Sequence, residues 1–170
     1  MTKLPLLALC SALALAACAR QAPVQLGPDG LPLPVAYTIT ARESAAIAPR
    51  ILGEVNALRA ASGAPPVQLN PQLTAAAEAH ARDMSAQNRA WHFGSDGSSP
   101  IDRVQRAGYA GRLIGQNISE TYENDIATLN AWMRTRDTRD VIMDPTARDL
   151  GMAWYQEPSG KIWWTLVMGG

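Results

Sequence analysis

The segment near the end of the chain, residues 162–168, constrains the fold more than any other feature. Its apolar side chains occupy both alternating faces of a predicted strand, in the order Ile162, Trp163, Trp164, Leu166, Val167 and Met168. A strand that is apolar on both faces has to be covered on both sides. We therefore expect this strand in the centre of a sheet, as the second half of a hairpin that begins at Leu150 and turns at residues 158–160.

Four segments with the apolar spacing of helices precede this hairpin. We predict helices from Pro49 to Ser62, from Pro71 with Asn70 as its N-cap, from Pro100 with Ser99 as its N-cap to Gly108, and over residues 125–136. A strand is predicted over residues 112–119, and residues 137–149 are predicted to be irregular. Helices on both sides of a covered sheet make an α/β fold, namely a three-layer α-β-α sandwich.

Composition excludes some classes of protein. The 170-residue chain has fifteen basic and fifteen acidic residues, so it lacks the positive charge that nucleic-acid binding requires, and no nucleic-acid partner is expected. Its two cysteines are Cys10 and Cys18, so the folded domain is predicted to contain no disulfide. A chain of this length can bury enough surface to be stable as one domain without one.

The first residues have the pattern of an export signal, with Lys3, an apolar run over residues 4–14 and small residues before Cys18. The sequence Leu-Ala-Ala-Cys at residues 15–18 resembles the lipobox of bacterial lipoproteins, which implies cleavage before Cys18 and lipid attachment to it. We predict a signal peptide over residues 1–17, a lipidated cysteine with a proline-bearing tether over residues 18–45, and a folded domain over residues 46–170. The alternative is an ordinary signal peptide with an unrelated cysteine.

This anchor implies a partner and a location. Several acyl chains hold a protein stably on a bilayer, so a membrane is the expected partner through Cys18. Ala19, rather than an aspartate, follows the anchor. By resemblance to the lipoproteins of Gram-negative bacteria, this residue favours the outer membrane, with the domain facing the periplasm.

The two histidines of the chain lie in different settings. His80 falls on the apolar face of the second predicted helix, which indicates a partly buried histidine that hydrogen-bonds to a neighbour. His92 precedes a loop rich in Gly, Ser and Asp, a setting in which proteins often place functional sites. We interpret Ser95–Ser98 in that loop as a turn before a helix cap, because no third group completes a nucleophilic serine arrangement.

Several motifs in order resemble the bacterial branch of the CAP superfamily, named for cysteine-rich secretory proteins, antigen 5 and plant pathogenesis-related proteins. The resemblance covers about residues 50–170 and implies that residues 46–170 form a CAP, or SCP-like, domain with the three-layer fold. The motifs that carry it are Asn56-Ala57-Leu58-Arg59, Ala79-His80-Ala81-Arg82-Asp83-Met84, His92-Phe93-Gly94, Arg103, Ala107-Gly108-Tyr109, Gly115-Gln116-Asn117-Ile118, Ala131-Trp132-Met133, and Arg139 with Ile142-Met143.

The resemblance also implies a cavity in which two histidines and acidic residues can bind a divalent cation. His92 matches the first histidine, but Gln116 stands where the family usually has a glutamate, and Thr138 stands where bacterial members usually have a histidine. An amide cannot act as a general base and is a poor metal ligand. The residues that the resemblance places around the cavity are His92, Gln116, Asn117, Glu120 and Thr138.

These departures decide the expected chemistry. A rebuilt metal site would have to join His92 to His80 or to carboxylates such as Asp96 and Glu120, and nothing in their spacing brings them together. His92 is therefore only a weak candidate as a metal ligand or catalytic residue. We expect no cofactor, and at most weak binding of a divalent cation.

Three functional hypotheses follow. The leading one is a non-enzymatic envelope lipoprotein whose cavity binds a lipid, a peptidoglycan fragment or a partner protein. The second is an envelope hydrolase that uses His92 with a metal held by unusual ligands. The third is a structural lipoprotein that links the membrane to the cell wall.

Overall fold

A computed structural model describes residues 36–170 of the chain. The predicted signal peptide, Cys18 and the tether up to residue 35 lie outside the described residues. The helices are α1 (Ala41–Ala61), α2 (Pro71–Gln87), α3 (Pro100–Arg106), α4 (Asp125–Arg134) and α5 (Arg136–Met143), and the strands are β1 (Gln68–Leu69), β2 (Leu113–Thr121), β3 (Asp149–Gln156) and β4 (Ile162–Gly169). Among these residues, no helix has the length and apolar character needed to cross a bilayer.

The four strands form one sheet in the order β1-β3-β4-β2. Strand β4 pairs antiparallel with both β3 and β2, whereas the short β1 pairs parallel with β3. Every residue of β4 is buried. The prediction of a central strand covered on both faces is therefore confirmed.

Helices cover both faces of this sheet. On one face, Trp164 and Leu166 of β4 pack in a cluster with side chains of α1, α4 and α5, including Ile51 and Leu129. On the other face, Val167 packs with side chains of α2 and α3. The fold is the predicted α/β three-layer α-β-α sandwich.

Helix α2 lies directly on strand β3. Asn70 caps it as predicted, because the Asn70 side chain accepts hydrogen bonds from the backbone N–H groups of Gln72 and Leu73. At the crossing with β3, a Cβ atom on Gly151 would overlap the backbone of Leu73. Glycine at this position therefore permits the close approach of helix and strand.

The predicted start of the first helix was wrong. Helix α1 begins at Ala41, behind Thr40, whose hydroxyl accepts a hydrogen bond from the Glu43 N–H, so residues 41–45 belong to the helix and not to the tether. Pro49 lies inside the helix, where a proline removes one backbone hydrogen bond. Tertiary contacts offset that loss, since Ile47 is completely buried and Arg50 forms ion pairs with Glu43 and Asp125.

The prediction that residues 137–149 are irregular was also wrong, because α5 occupies Arg136–Met143. Only Ile142 of this helix is buried, and its apolar residues are the three consecutive positions 141–143 at the C-terminal end, so the sequence lacks apolar residues repeated at i, i+3 and i+4. Helix α3 was predicted correctly: Ser99 and Asp102 form a reciprocal capping box at its start.

Candidate functional site

His92 and Gln116 meet at the side of the sheet covered by α2 and α3. His92 lies exposed in the loop between these helices, and Gln116 lies on β2 with 9% of its surface exposed. Nδ1 of His92 is 3.1 Å from Oε1 of Gln116. Since that oxygen can only accept a hydrogen bond, Nδ1 is the protonated nitrogen in this contact.

Arg103 of α3 is the third residue of this site. It is 8% exposed and donates from Nη1 to the Ser98 carbonyl at 2.9 Å and from Nη2 to the His92 carbonyl at 2.6 Å. Nη2 also lies 3.3 Å from Oε1 of Gln116. The amide oxygen thus accepts from an imidazole and from a guanidinium, and a divalent cation at this oxygen would meet a buried positive charge.

One donor of Arg103 is unused. Its buried Nε–H has no hydrogen-bond partner among the described residues. Burial lowers the pKa of the guanidinium, which the nearby carboxylates of Asp83 and Asp96 oppose without contacting it. Within residues 36–170, no acidic side chain forms an ion pair with Arg103.

Asn117 and Thr138 form a second pair, away from His92. Asn117 alternates with Gln116 along β2 and pairs with Leu166, so its side chain is on the face covered by α4 and α5. Its Nδ2 donates to the backbone carbonyl of Thr138 at 2.8 Å. The Thr138 hydroxyl donates to the Trp132 carbonyl at 2.6 Å and therefore caps the end of α4.

Glu120 has a different partner. It lies near the end of β2, on the same face as Gln116, and its carboxylate forms an ion pair with Nζ of Lys161 at 2.9 Å. The same Nζ donates to Oδ1 of Asn88. Of the five residues that the resemblance places around a cavity, the structure brings only His92 and Gln116 into mutual contact at this site.

The other two candidate ligands, His80 and Asp96, each contact a partner outside the His92 site. His80 is completely buried on the apolar face of α2, with Nε2 2.9 Å from the carbonyl of Trp91. Burial and, to a smaller extent, the charge of Arg103 lower the pKa of His80 to about 4. Asp96 forms an ion pair with Arg106 at 2.7 Å. No three His, Cys, Asp or Glu side chains in the described part of the chain converge on a common point where an ion could be held.

Comparison with known proteins identifies the family. The model of the cysteine-rich secretory protein family, CAP, matches residues 52–168. The chain belongs to the CAP family. The CAP domain is 27% identical over 120 residues to the uncharacterized protein YkwD of Bacillus subtilis, a match that covers 71% of this chain and 46% of that protein. The chain therefore spans less than half the length of this curated relative.

Solved structures show the same CAP fold. An extracellular protein with an SCP domain from Bacillus anthracis has a TM-score of 0.68 at 20% identity, over 78% of this chain and 44% of that one. An outer surface protein from Borrelia burgdorferi has a TM-score of 0.64 at 14% identity, over 79% of this chain and 97% of that one. At these identities the likeness establishes the fold alone.

Two features of the CAP domain site were not predicted from the sequence. They are the aromatic side chains on either side of His92 and the contact between Arg103 and Gln116. Trp91 and Phe93 flank His92, with ring centroids 5.5 Å apart, and Phe93 is 46% exposed. The guanidinium of Arg89 lies 3.8 Å from the Trp91 ring centre. The alternation of aromatic residues around His92 was a visible signal, whereas the contact of Arg103 with Gln116 had none, because it depends on how α3 packs against β2.

Proposed function

We propose that this CAP domain is a binding module of the bacterial cell envelope, which holds a ligand at the site formed by His92, Arg103 and Gln116 and does not hydrolyse it. The observation that carries the proposal is the sharing of Oε1 of Gln116 by Arg103 and His92. A lipid with a polar head, a peptidoglycan fragment or a segment of a partner protein could each supply an acceptor or an anion to this site.

The chemistry of the same atoms argues against the hydrolase hypothesis. A general base has to accept a proton, and the amide of Gln116 cannot do so at neutral pH. His92 donates Nδ1–H to Gln116, so its Nε2 is the one basic nitrogen at this site, and the hydrolase hypothesis depends on that atom alone. The guanidinium of Arg103 also disfavours a second positive charge beside Gln116, whether a metal ion or a protonated base.

Metal analysis of the purified full-length protein in detergent tests this proposal. We expect less than stoichiometric zinc after incubation with zinc and desalting, both for the native protein and for His92→Ala. Gln72→Ala, at an exposed position on the same side of the sheet, is the matched control. One zinc per chain that disappears in His92→Ala and persists in Gln72→Ala would contradict the proposal and support the metal-assisted hydrolase.

The location is the second part of the proposal. We infer that Cys18 carries the lipid anchor, supported by the export pattern before it and by the small residues at positions 16 and 17. Two structural neighbours are described as an extracellular protein and an outer surface protein, which agrees with export from the cytoplasm. Attachment to the outer membrane is the expectation from Ala19.

Paired cysteine variants test the anchor. Cys18→Ser is expected to leave the membrane fraction in a detergent-free fractionation, since the residue that carries the acyl chains is lost. Cys10→Ser, a matched change inside the predicted signal peptide, is expected to stay with the membranes. Membrane-bound Cys18→Ser would show that another segment anchors the protein.

A further inference from the structure

A groove of about 480 Å³ lies between α2 and α3 beside the site just described. Its volume is within the range of small-molecule sites, about 300–1,000 Å³. Three alanines of α2, Ala75, Ala76 and Ala79, form an apolar wall without bulky side chains. His92 and Gln116 do not line the groove, but Arg103 does, so this residue is common to the groove and the His92 site.

Charged residues of both signs line the groove. Asp96 and Arg106 neutralise each other in an ion pair with a separation of 2.7 Å. Arg103 and Asp83 remain, and neither forms an ion pair with another residue in the range 36–170. One positive and one negative group on the wall are therefore near enough for the charge of Asp83 to act on Arg103, but neither is in direct contact with a counter-charge.

The two groups are held in fixed positions. Oδ2 of Asp83 accepts hydrogen bonds from the Ser95 N–H at 2.8 Å and from Nε2 of Gln87 at 3.0 Å. Arg103 is held by the carbonyls of Ser98 and His92, while its Nε–H has no partner among the described residues. Positions fixed in this way before binding lower the entropy cost of holding a ligand.

We propose that this groove binds a short peptide that carries one carboxylate and one ammonium group, with the carboxylate towards Arg103 and the ammonium towards Asp83. Small side chains of the peptide pack against the three alanines. A purely anionic ligand would be repelled by Asp83, and a purely cationic one by Arg103, so charge complementarity selects a ligand with both groups. The inference rests on the proposed binding function; it places the ligand in the groove that shares Arg103 with the His92 site and narrows that ligand to one chemical class.

Three matched peptides test the charge requirement by isothermal titration calorimetry with the full-length protein in detergent. The first is the free acid of N-acetyl-alanyl-alanyl-lysine, the second is its C-terminal amide, and the third has norleucine in place of lysine. We expect the first to bind and each of the others to bind about tenfold more weakly or worse, since each leaves one groove charge unpaired.

Two alanine variants test the location. Ala79→Leu fills the groove at a surface position of α2 and is expected to weaken binding of the first peptide about tenfold or more. Ala57→Leu makes the same change on the exposed side of α1 and is expected to leave binding unchanged. Circular dichroism of both variants is the check that they are folded.

The inference is overturned if the first peptide does not bind at millimolar concentration, if the three peptides bind equally, or if Ala79→Leu behaves like Ala57→Leu. Mass spectrometry of the recovered peptide shows whether the choice of ligand and groove is wrong or whether the proposed non-hydrolytic function is wrong. Cleaved peptide would contradict non-hydrolytic binding itself. Intact peptide that does not bind would contradict only the choice of ligand and groove.

Discussion

Two buried arginines occupy the two layers of helices and are used in different ways. Arg59 of α1 is completely buried and directs all its nitrogen atoms to backbone carbonyls. Its acceptors are the carbonyl oxygens of Pro65, Ile142, Asp144 and Ala147. Ile142 lies in the last turn of α5, where the partial negative charge of a helix C-terminus stabilises a cation. Arg59 therefore joins α1 to the end of α5 as a structural element.

Arg103 has the same side chain but fewer fixed acceptors. One of its partners is the Gln116 side chain, and its Nε–H has no partner in the described residues. Burial lowers the pKa of both guanidinium groups, so neither is in a solvated environment. The two arginines therefore differ in how their donors are used: every nitrogen of Arg59 has an acceptor, whereas Arg103, in the layer of α2 and α3, keeps one donor without a partner among the described residues.

The largest expected effect is on stability, from Arg59→Met. The change leaves four backbone carbonyls without their donor, two of them in buried contacts, and we expect a loss of about 3–5 kcal/mol in the free energy of unfolding. Urea denaturation followed by circular dichroism measures it. Arg82→Met, at an exposed position of α2, is the control and should change stability by no more than about 0.5 kcal/mol. An Arg59→Met protein as stable as the control would remove the structural role assigned to Arg59.

The second prediction concerns pH and His80 on the α2 layer. Its pKa is about 4 in the folded protein, against an ordinary value of 6.5. Above pH 6.5 the histidine is neutral in both states; between pH 6.5 and 4 only the unfolded state takes up the proton, so stability falls as the pH falls. The full loss is about 3 kcal/mol and levels off below about pH 4.

Urea denaturation at a series of pH values measures this slope. His80→Gln retains a donor for the Trp91 carbonyl but cannot titrate. We therefore expect the slope of its free energy of unfolding against pH to be smaller, by the equivalent of about one proton taken up on unfolding. His92→Gln makes the same change at the exposed histidine and is the matched control. If the free energy of unfolding had the same slope against pH in His80→Gln and in the native protein, His80 would not be buried as a neutral group.

The smallest effect on stability is expected for Arg103→Met. Loss of the hydrogen bonds to Ser98 and His92 destabilises the protein, but removal of a desolvated charge without an ion-pair partner among the described residues offsets part of that loss. We expect about 1–2 kcal/mol by urea denaturation, which is less than for Arg59→Met. A loss as large as that of Arg59→Met would mean that both arginines are structural and that the two layers do not differ in this respect.

The sequence predicted the parts of the fold that rest on local patterns. The double apolar face of residues 162–168 identified the central strand, and Asn70 with Pro71 identified the start of α2, because strand alternation and helix capping are local. The early start of α1 and the existence of α5 were missed. Both depend on tertiary contacts, such as those of Arg50 with Asp125 and of Arg59 with the Ile142 carbonyl.

The candidate site was predictable only in part. Family resemblance pointed to His92 and Gln116, and the structure brings these two residues together. Arg103 carried no signal of its own role, because its contacts with two loop residues and one strand residue depend on how α3 packs against β2. The groove was not predictable either, since its walls exist only when α2 and α3 pack beside each other.

A neutral Gln116 leaves the charge of Arg103 available to a ligand, and peptide binding in the groove depends on this. Gln116→Glu tests this claim directly, because the new carboxylate would lie beside both Arg103 and His92, in the positions now joined by contacts of 3.3 Å and 3.1 Å. We predict that calorimetry with the acetylated tripeptide acid will show binding to this variant weakened about tenfold or more, with the fold retained. Unchanged or tighter binding to a folded Gln116→Glu protein would contradict the account.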